Sequence, residues 1–112
     1  MPNEKSSIFD LNELQFFSFA AREKNVFFSG AGFKTRIIVL PADGTMPECP
    51  MSTAVIFYVV SGEVEVTVDG EANHLVAGHC LIGQPALYSM KTELGVRMLG
   101  VQIGAGQTGE KK

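Results

Sequence analysis

The side chains best suited to chemistry in this 112-residue chain carry sulfur. Thiolate and thioether ligands together favour Cu(I) over harder metal ions. Methionine also fills irregular gaps in apolar pockets, and five methionines do not make a metal-rich composition. We therefore expect gap filling, with a copper site as the alternative. The candidate side chains are Met46, Cys49, Met51 and Met90.

Cys49 is the candidate nucleophile. A reactive thiol needs a pKa lowered by a neighbouring cation, a helix N-terminus or a histidine. The sequence places none of these beside Cys49, and Glu48 would oppose thiolate formation. His74 and His79 are five residues apart and are predicted to project in different directions. We expect surface or structural roles for both, because a functional histidine needs a convergent partner.

Short strands and glycine turns must position these residues. Val55–Val60 is a continuous apolar run, as expected for a strand covered on both faces. Glu63–Val68 alternates strictly between polar and valine positions, which indicates a half-buried strand. Asp69-Gly70 predicts a type I′ hairpin turn, since both central residues of that turn need positive φ.

The remaining segments also read as strands and turns. We predict further turns at Ser61-Gly62 and Ala77-Gly78, and a loop over Pro41–Ser52 with three prolines. The predicted strands are Asn25–Ser29, Phe33–Leu40, Val55–Val60, Glu63–Val68, His74–Val76, His79–Ile82, Ala86–Thr92 and Val96–Ile103.

The stretch YVVSGEVEVTVDGE followed by LVAGHCLI resembles the core of a small single-domain cupin of the RmlC-like superfamily, of the cupin 2 conserved-barrel type. The resemblance runs from about Phe33 to Ile103. It implies an all-β fold, an antiparallel jelly-roll barrel also called a double-stranded β-helix. We expect residues 8–103 to form one such domain, between a disordered N-terminus (1–7) and a disordered C-terminal tail (104–112).

The metal-binding motifs of the cupin family are altered in this chain. Mononuclear Fe, Mn, Ni or Zn sites need three or four converging imidazole or carboxylate ligands. Counting from Gly62 as the closing glycine of the first motif, no ligand position holds its usual residue, so we predict no metal and no cofactor. The resemblance places the four positions at Cys49 and Met51 (or Glu48 and Pro50), Val55 and Tyr88.

The same resemblance implies an interior ligand pocket. Tyr88 is its predicted polar handle, and Cys49 is expected at the rim. Arg97 is expected to point outward because buried arginine is rare; pointing inward, it would hold an anionic ligand. The predicted lining consists of Met51, Val55, Phe57, Tyr88, Met90 and Met98.

The N-terminal segment Ile8–Phe19 is rich in aromatic residues that must be covered. Asp10 is predicted to cap a turn through Asn12–Leu14, and Phe16, Phe17 and Phe19 are predicted to lead into a strand. Either this barrel or a second copy of the chain covers the segment. The resemblance favours a homodimer, because most small cupins dimerise.

Composition excludes several classes of function. The net charge of −3 comes without a basic stripe, which argues against nucleic acid or anionic membrane as a partner. No apolar run approaches the ~20 residues of a spanning helix. The N-terminus does not resemble a signal peptide, so we expect a cytoplasmic protein in which Cys49 and Cys80 are thiols.

Three functions remain open. The preferred one is a non-metal binding or sensing module that takes a small molecule into an apolar pocket. The second is a metal-dependent cupin isomerase, lyase or dioxygenase with atypical ligands, for which the catalytic residues are unknown. The third is a dimeric structural or interaction protein.

Overall fold

The structure is a computed structural model that describes residues 5–104. The parts of the predicted disordered ends at 1–4 and 105–112 lie outside the described residues. A 3₁₀ helix, Phe19–Asn25, precedes eight strands. The strands are β1 (Val26–Gly30), β2 (Phe33–Leu40), β3 (Thr45–Met51), β4 (Ala54–Val68), β5 (Glu71–Val76), β6 (Cys80–Gly83), β7 (Ala86–Lys91) and β8 (Val96–Ile103).

All the strand pairings are antiparallel, and the curled sheet is organised around β4. The strand order is β1-β2-β8-β4-β7-β3, and β5 and β6 each pair with β4. The first half of β4 pairs with β8 and β6, whereas the second half pairs with β5 and β7. The 15-residue strand β4 therefore belongs to both sides of the barrel.

The predicted turn at Ser61-Gly62 is wrong, because the chain bends there without reversing. A register shift between Val59 and Ser61 and a φ of 85° at Gly62 produce the bend. A side chain at position 62 would also clash with the carbonyl of Gly95. Glycine therefore allows β4 to pass from one side of the barrel to the other without interruption.

The predicted hairpin at Asp69-Gly70 is confirmed. Asp69 has a φ of 49° and Gly70 a φ of 86°, as a type I′ turn requires. The turn sets Val68 opposite Glu71, so β5 begins earlier than the predicted His74.

The predicted loop over Pro41–Ser52 is also wrong in part, since it contains β3. This strand pairs only with β7, and its register shifts between Met46 and Cys49, around Pro47. Proline is tolerated at sheet edges and bulges because no ladder hydrogen bond is lost there. The prolines that indicated a loop therefore mark an irregular edge strand.

The core lies inside the barrel. Val55, Phe57 and Val59 of β4 point inward, as do Val64 and Val66 beyond the bend. Fully buried Tyr88 and Met98 pack into the same cluster.

Two polar side chains hold the N-terminal segment against the outside of this barrel. Nη1 of Arg97 donates hydrogen bonds to the carbonyls of Leu11 (3.0 Å) and Leu14 (3.2 Å). Buried Asn25 accepts from the Phe17 N–H (2.7 Å) and donates to the Phe17 carbonyl (2.9 Å). Arg97 therefore faces outward, in agreement with the expectation from the sequence.

The aromatic residues of the same segment are covered only in part, since Phe9 is 38% and Phe16 45% exposed. The rings of Phe9 and Phe27 pack edge to face, 4.8 Å apart. The Asp10 carboxylate accepts the Asn12 N–H at 2.9 Å, which forms the predicted turn, but a 3₁₀ helix follows where a strand was expected. Ile8 stays exposed, and the homodimer stays a prediction.

No helix among residues 5–104 is long and apolar enough to cross a bilayer.

Candidate functional site

One end of the barrel holds a cavity of about 260 Å³. Its apolar wall comes from Ile38 and Leu40 on β2 and from Val55 and Phe57 on β4. Gly100 on β8 keeps it open. A Cβ at Gly100 would lie 3.0 Å from Ile38 Cδ1, 3.4 Å from Arg36 Cγ and 3.6 Å from Phe57 Cδ1. A larger residue at this position would fill part of the space.

A linked pair of polar side chains lies in this largely apolar lining. Nη2 of Arg36 donates to Oε1 of Gln102 across 2.8 Å. Nε2 of Gln102 lies 4.0 Å from the sulfur of Met51, which is a weak acceptor. In the part of the chain that the structure describes, no carboxylate forms an ion pair with Arg36.

Arg36 and Gln102 are not among the residues predicted from the sequence, although a signal was present. Within Phe33–Leu40, Arg36 alternates with residues of the opposite face and shares its face with Ile38 and Leu40. Ile37, on the other face, is 1% exposed and is not part of the interior cluster. Both faces of this strand are therefore covered, and its charge enters the cavity.

The structure brings together four of the predicted pocket residues. Cys49, Met51, Val55 and Phe57 all line the cavity. Met90 and Met98 are buried deeper in the core and do not line it, and Arg97 lies outside the barrel.

Tyr88 does not lie where it was predicted, as the polar handle of the pocket. It is fully buried, and its hydroxyl donates to the Gln84 carbonyl at 2.6 Å in the turn before β7. Burial, followed by the nearby Asp69 carboxylate, raises the pKa of Tyr88 above its usual 10.0. Since the hydroxyl is used within this turn, the polar lining of the cavity comes from Arg36 and Gln102, together with Arg22 and Glu23 of the 3₁₀ helix.

Solved structures resemble this fold closely. A double-stranded β-helix protein from Klebsiella pneumoniae subsp. pneumoniae superposes with a TM-score of 0.77 at 20% identity, covering 93% of this chain and 94% of that one. A cupin-2 domain protein from Shewanella frigidimarina gives 0.67 at 11% identity, covering 86% and 94%. A cupin superfamily protein from Desulfitobacterium hafniense gives 0.64 at 13% identity, covering 70% and 72%.

The chain has the cupin fold. The resemblance seen in the sequence and the predicted all-β barrel are thereby confirmed. No protein-family model and no curated protein sequence matches the chain. Because identities this low show the fold alone, function must be argued from the site itself.

The residues at the cupin metal positions do not fit a divalent ion. Val55 has no donor atom, and the Tyr88 hydroxyl is bonded to Gln84. Cys49 and Met51 reach the cavity together with Met46, so three of the four candidate sulfur side chains share one lining. Within residues 5–104, no group of three His, Cys, Asp or Glu side chains is placed to hold a metal ion. These side chains therefore supply no divalent-metal chemistry.

A second hollow, of about 330 Å³, lies on the other side of the cupin barrel around Glu63. Oε2 of Glu63 accepts hydrogen bonds from the N–H groups of Leu94 (3.0 Å) and Glu93 (2.8 Å) and from the Thr92 hydroxyl (2.8 Å). Nε2 of exposed His74 lies 3.0 Å from Oε1. These bonds, led by the one from Leu94, lower the pKa of Glu63 from 4.5 to about 2. The carboxylate thus holds the loop between β7 and β8 in place.

His79 also has a local role. Its Nδ1 accepts the Val76 N–H at 3.2 Å, within the turn between β5 and β6. The two histidines do not converge, as the sequence predicted, and neither lines the cavity beside Arg36.

Proposed function

We propose that the protein is a small-molecule binding module whose ligand occupies the cavity beside Arg36. The main support is an apolar cavity that Gly100 keeps open and that contains one linked polar pair, Arg36 and Gln102. Ligand sites are mostly apolar with a few polar groups that fix orientation. Its volume of about 260 Å³ lies just below the roughly 300–1,000 Å³ typical of such sites, so the ligand is small.

The lining favours binding over catalysis. Cys49 is its candidate nucleophile, and its sulfur lies 3.8 Å from the Pro50 carbonyl, a weak contact. Nucleophilic catalysis needs a base within hydrogen-bond reach of the nucleophile. Neither histidine of the chain lines this cavity, so the lining offers Cys49 no imidazole base.

A thermal-shift screen with a panel of small metabolites tests the proposal, because a ligand that binds only the native state raises the melting temperature. Gly100→Ala should reduce the shift, since the added methyl group enters the cavity beside Ile38. Gly78→Ala is the matched control: it also adds a methyl group, but in open space away from the cavity. It should lower the baseline melting temperature, because φ at Gly78 is left-handed, and leave the ligand-induced shift unchanged.

Two results would contradict the binding proposal. One is that no compound in the panel raises the melting temperature of the wild-type protein. The other is that Gly100→Ala and Gly78→Ala show the same ligand-induced shift in melting temperature. Metal analysis tests the enzyme alternative separately: after dialysis we expect well under one equivalent of Fe, Mn, Ni, Zn or Cu, and a full equivalent would favour a metal-dependent cupin enzyme.

A further inference from the structure

We propose that the ligand of this cavity carries a carboxylate group, which the guanidinium of Arg36 binds. The inference rests on the proposed function, that the cavity takes up a small molecule, and adds the chemical class of that molecule.

Arg36 has donors to spare. A guanidinium carries five N–H donors in a fixed plane, and the structure shows one side-chain bond, from Nη2 to Gln102. The residue is partly buried, and across residues 5–104 it meets no carboxylate within ion-pair distance. A charge withdrawn from water without a counter-charge is costly. An anionic ligand would supply that counter-charge.

Gln102 acts as the positioning residue for this guanidinium. Its amide oxygen holds one edge of Arg36, while its own nitrogen contacts Met51. A glutamine orients the arginine without neutralising it. A glutamate in the same place would be the permanent partner of Arg36 and would leave no net charge for a ligand.

The charge and size of the site favour a carboxylate over a phosphate. Three charged residues line the cavity: Arg22 and Arg36 are positive and Glu23 is negative, which leaves one net positive charge. This balance suits a monoanion, and Glu23 opposes a dianion. The planar fork of arginine matches the two oxygens of a carboxylate.

The rest of the ligand must be apolar. Ile38, Val55 and Phe57 belong to the lining of the same cavity and offer no hydrogen bonds from their side chains. A short hydrocarbon chain or a single ring would bury its surface there while its carboxylate lies on Arg36.

Calorimetric titration with matched probes tests the inference. Hexanoate and benzoate are compared with the neutral hexanamide and benzamide, and butyl phosphate serves as the phosphate probe. We expect each carboxylate to bind about ten- to hundred-fold more tightly than its amide, the factor of a hydrogen bond to a charged group. Arg36→Gln should remove this preference and leave amide binding nearly unchanged.

Lys34→Gln is the control for charge. It removes the same charge from the same strand, two residues earlier, at a position that does not line the cavity. It should keep the preference for carboxylates. If Lys34→Gln weakens hexanoate binding as much as Arg36→Gln does, the effect is general electrostatics and the inference is wrong.

Gln102→Glu is a second variant that keeps Arg36 in place. The new carboxylate should pair with Arg36 and exclude hexanoate, again about ten- to hundred-fold, while the fold becomes no less stable. A Gln102→Glu protein that still prefers carboxylates would overturn the inference.

The outcomes separate the inference from the proposed function. Equal binding of amides and carboxylates, or tighter binding of butyl phosphate, overturns the carboxylate class but leaves a binding cavity. If none of the five probes binds the wild-type protein and the metabolite panel is also negative, the proposed function itself fails.

Discussion

Glu63 and Arg36 are both charged side chains on strands of this barrel, yet their surroundings differ. Glu63 accepts three hydrogen bonds from the loop between β7 and β8, and His74 lies against its other oxygen. Arg36 has one side-chain partner, the neutral Gln102, beside an apolar cavity. The first charge is used by the fold itself, whereas the second forms no ion pair within residues 5–104.

These two regions lie near opposite ends of β8. Gly62 pairs with Val96 at the start of β8, and Gln102 is six residues further along, about 20 Å at ~3.4 Å per residue. At one end of the barrel the charged group, Glu63, is hydrogen-bonded within the fold, and we call this the closed end. At the other end a cavity and the charge of Arg36 remain available to a ligand. This difference locates the binding site more clearly than cavity size does, because the two hollows are of similar size.

The largest expected effect is at the closed end. Gly62→Ala should destabilise the protein by about 3–5 kcal/mol, because the added Cβ clashes with the Gly95 carbonyl and φ is left-handed. Gly78→Ala has a similar φ of 92° but open space around it, and should cost about 1–2 kcal/mol. Urea denaturation measures both. Equal losses would show that the close packing of β4 against Gly95 does not constrain this end.

A smaller effect is expected where the N-terminal segment reaches the cavity end. Asn25→Ala leaves the N–H and the carbonyl of Phe17 without their partner, which should cost about 1–3 kcal/mol. It should also loosen the 3₁₀ helix that carries Arg22 and Glu23. Asn73→Ala is the control, since Asn73 makes longer and more exposed bonds. Hydrogen exchange that stays slow over residues 19–25 in Asn25→Ala would contradict this role.

The closed end should also respond to acid. The pKa of Glu63 is lowered in the fold to about 2, so its contribution to stability is complete above its usual pKa of 4.5 and is lost as the pH falls towards 2. The difference in melting temperature between the wild type and Glu63→Gln should therefore shrink between pH 4.5 and pH 2. Glu71→Gln, an exposed change on β5, controls for net charge. A difference that stays constant with pH would show that the carboxylate charge is not what holds the loop.

The contrast between the two ends also explains what the sequence could predict. Glycine turns and alternating valines are local signals, so the barrel and the Asp69-Gly70 hairpin followed from them. The bend at Gly62 could not be recognised, because it depends on a register shift against β8, a strand far away in sequence. Cys49, Met51, Val55 and Phe57 came from the resemblance and do line the cavity.

The polar groups of the site were missed for a related reason. Arg36 and Gln102 are 66 residues apart and meet only because β2 pairs with β8. Tyr88 was expected to face the cavity, but its hydroxyl finds the Gln84 carbonyl four residues earlier. Alternation shows which face a side chain takes, whereas the partner of its polar end depends on packing between strands.

The smallest expected effect is at the cavity end. Arg36→Met replaces a charge that lacks a counter-charge by an apolar chain of similar length, so stability should change by less than about 1 kcal/mol or increase. Chemical denaturation without ligand measures this. A loss of several kcal/mol would mean that Arg36 supports the fold as Glu63 does, and the contrast between the two ends would disappear.

The most direct measurement of the central claim is an NMR titration of ¹³C- and ¹⁵N-labelled protein with hexanoate. The shifts should concentrate on the methyl groups of Ile38 and Val55 and on the guanidinium N–H of Arg36, and should saturate together. The amides of residues 92–95, in the loop held by Glu63, should stay in place. Shifts that cluster around Glu63, or that fail to saturate at any site, would contradict the assignment of binding to the Arg36 end.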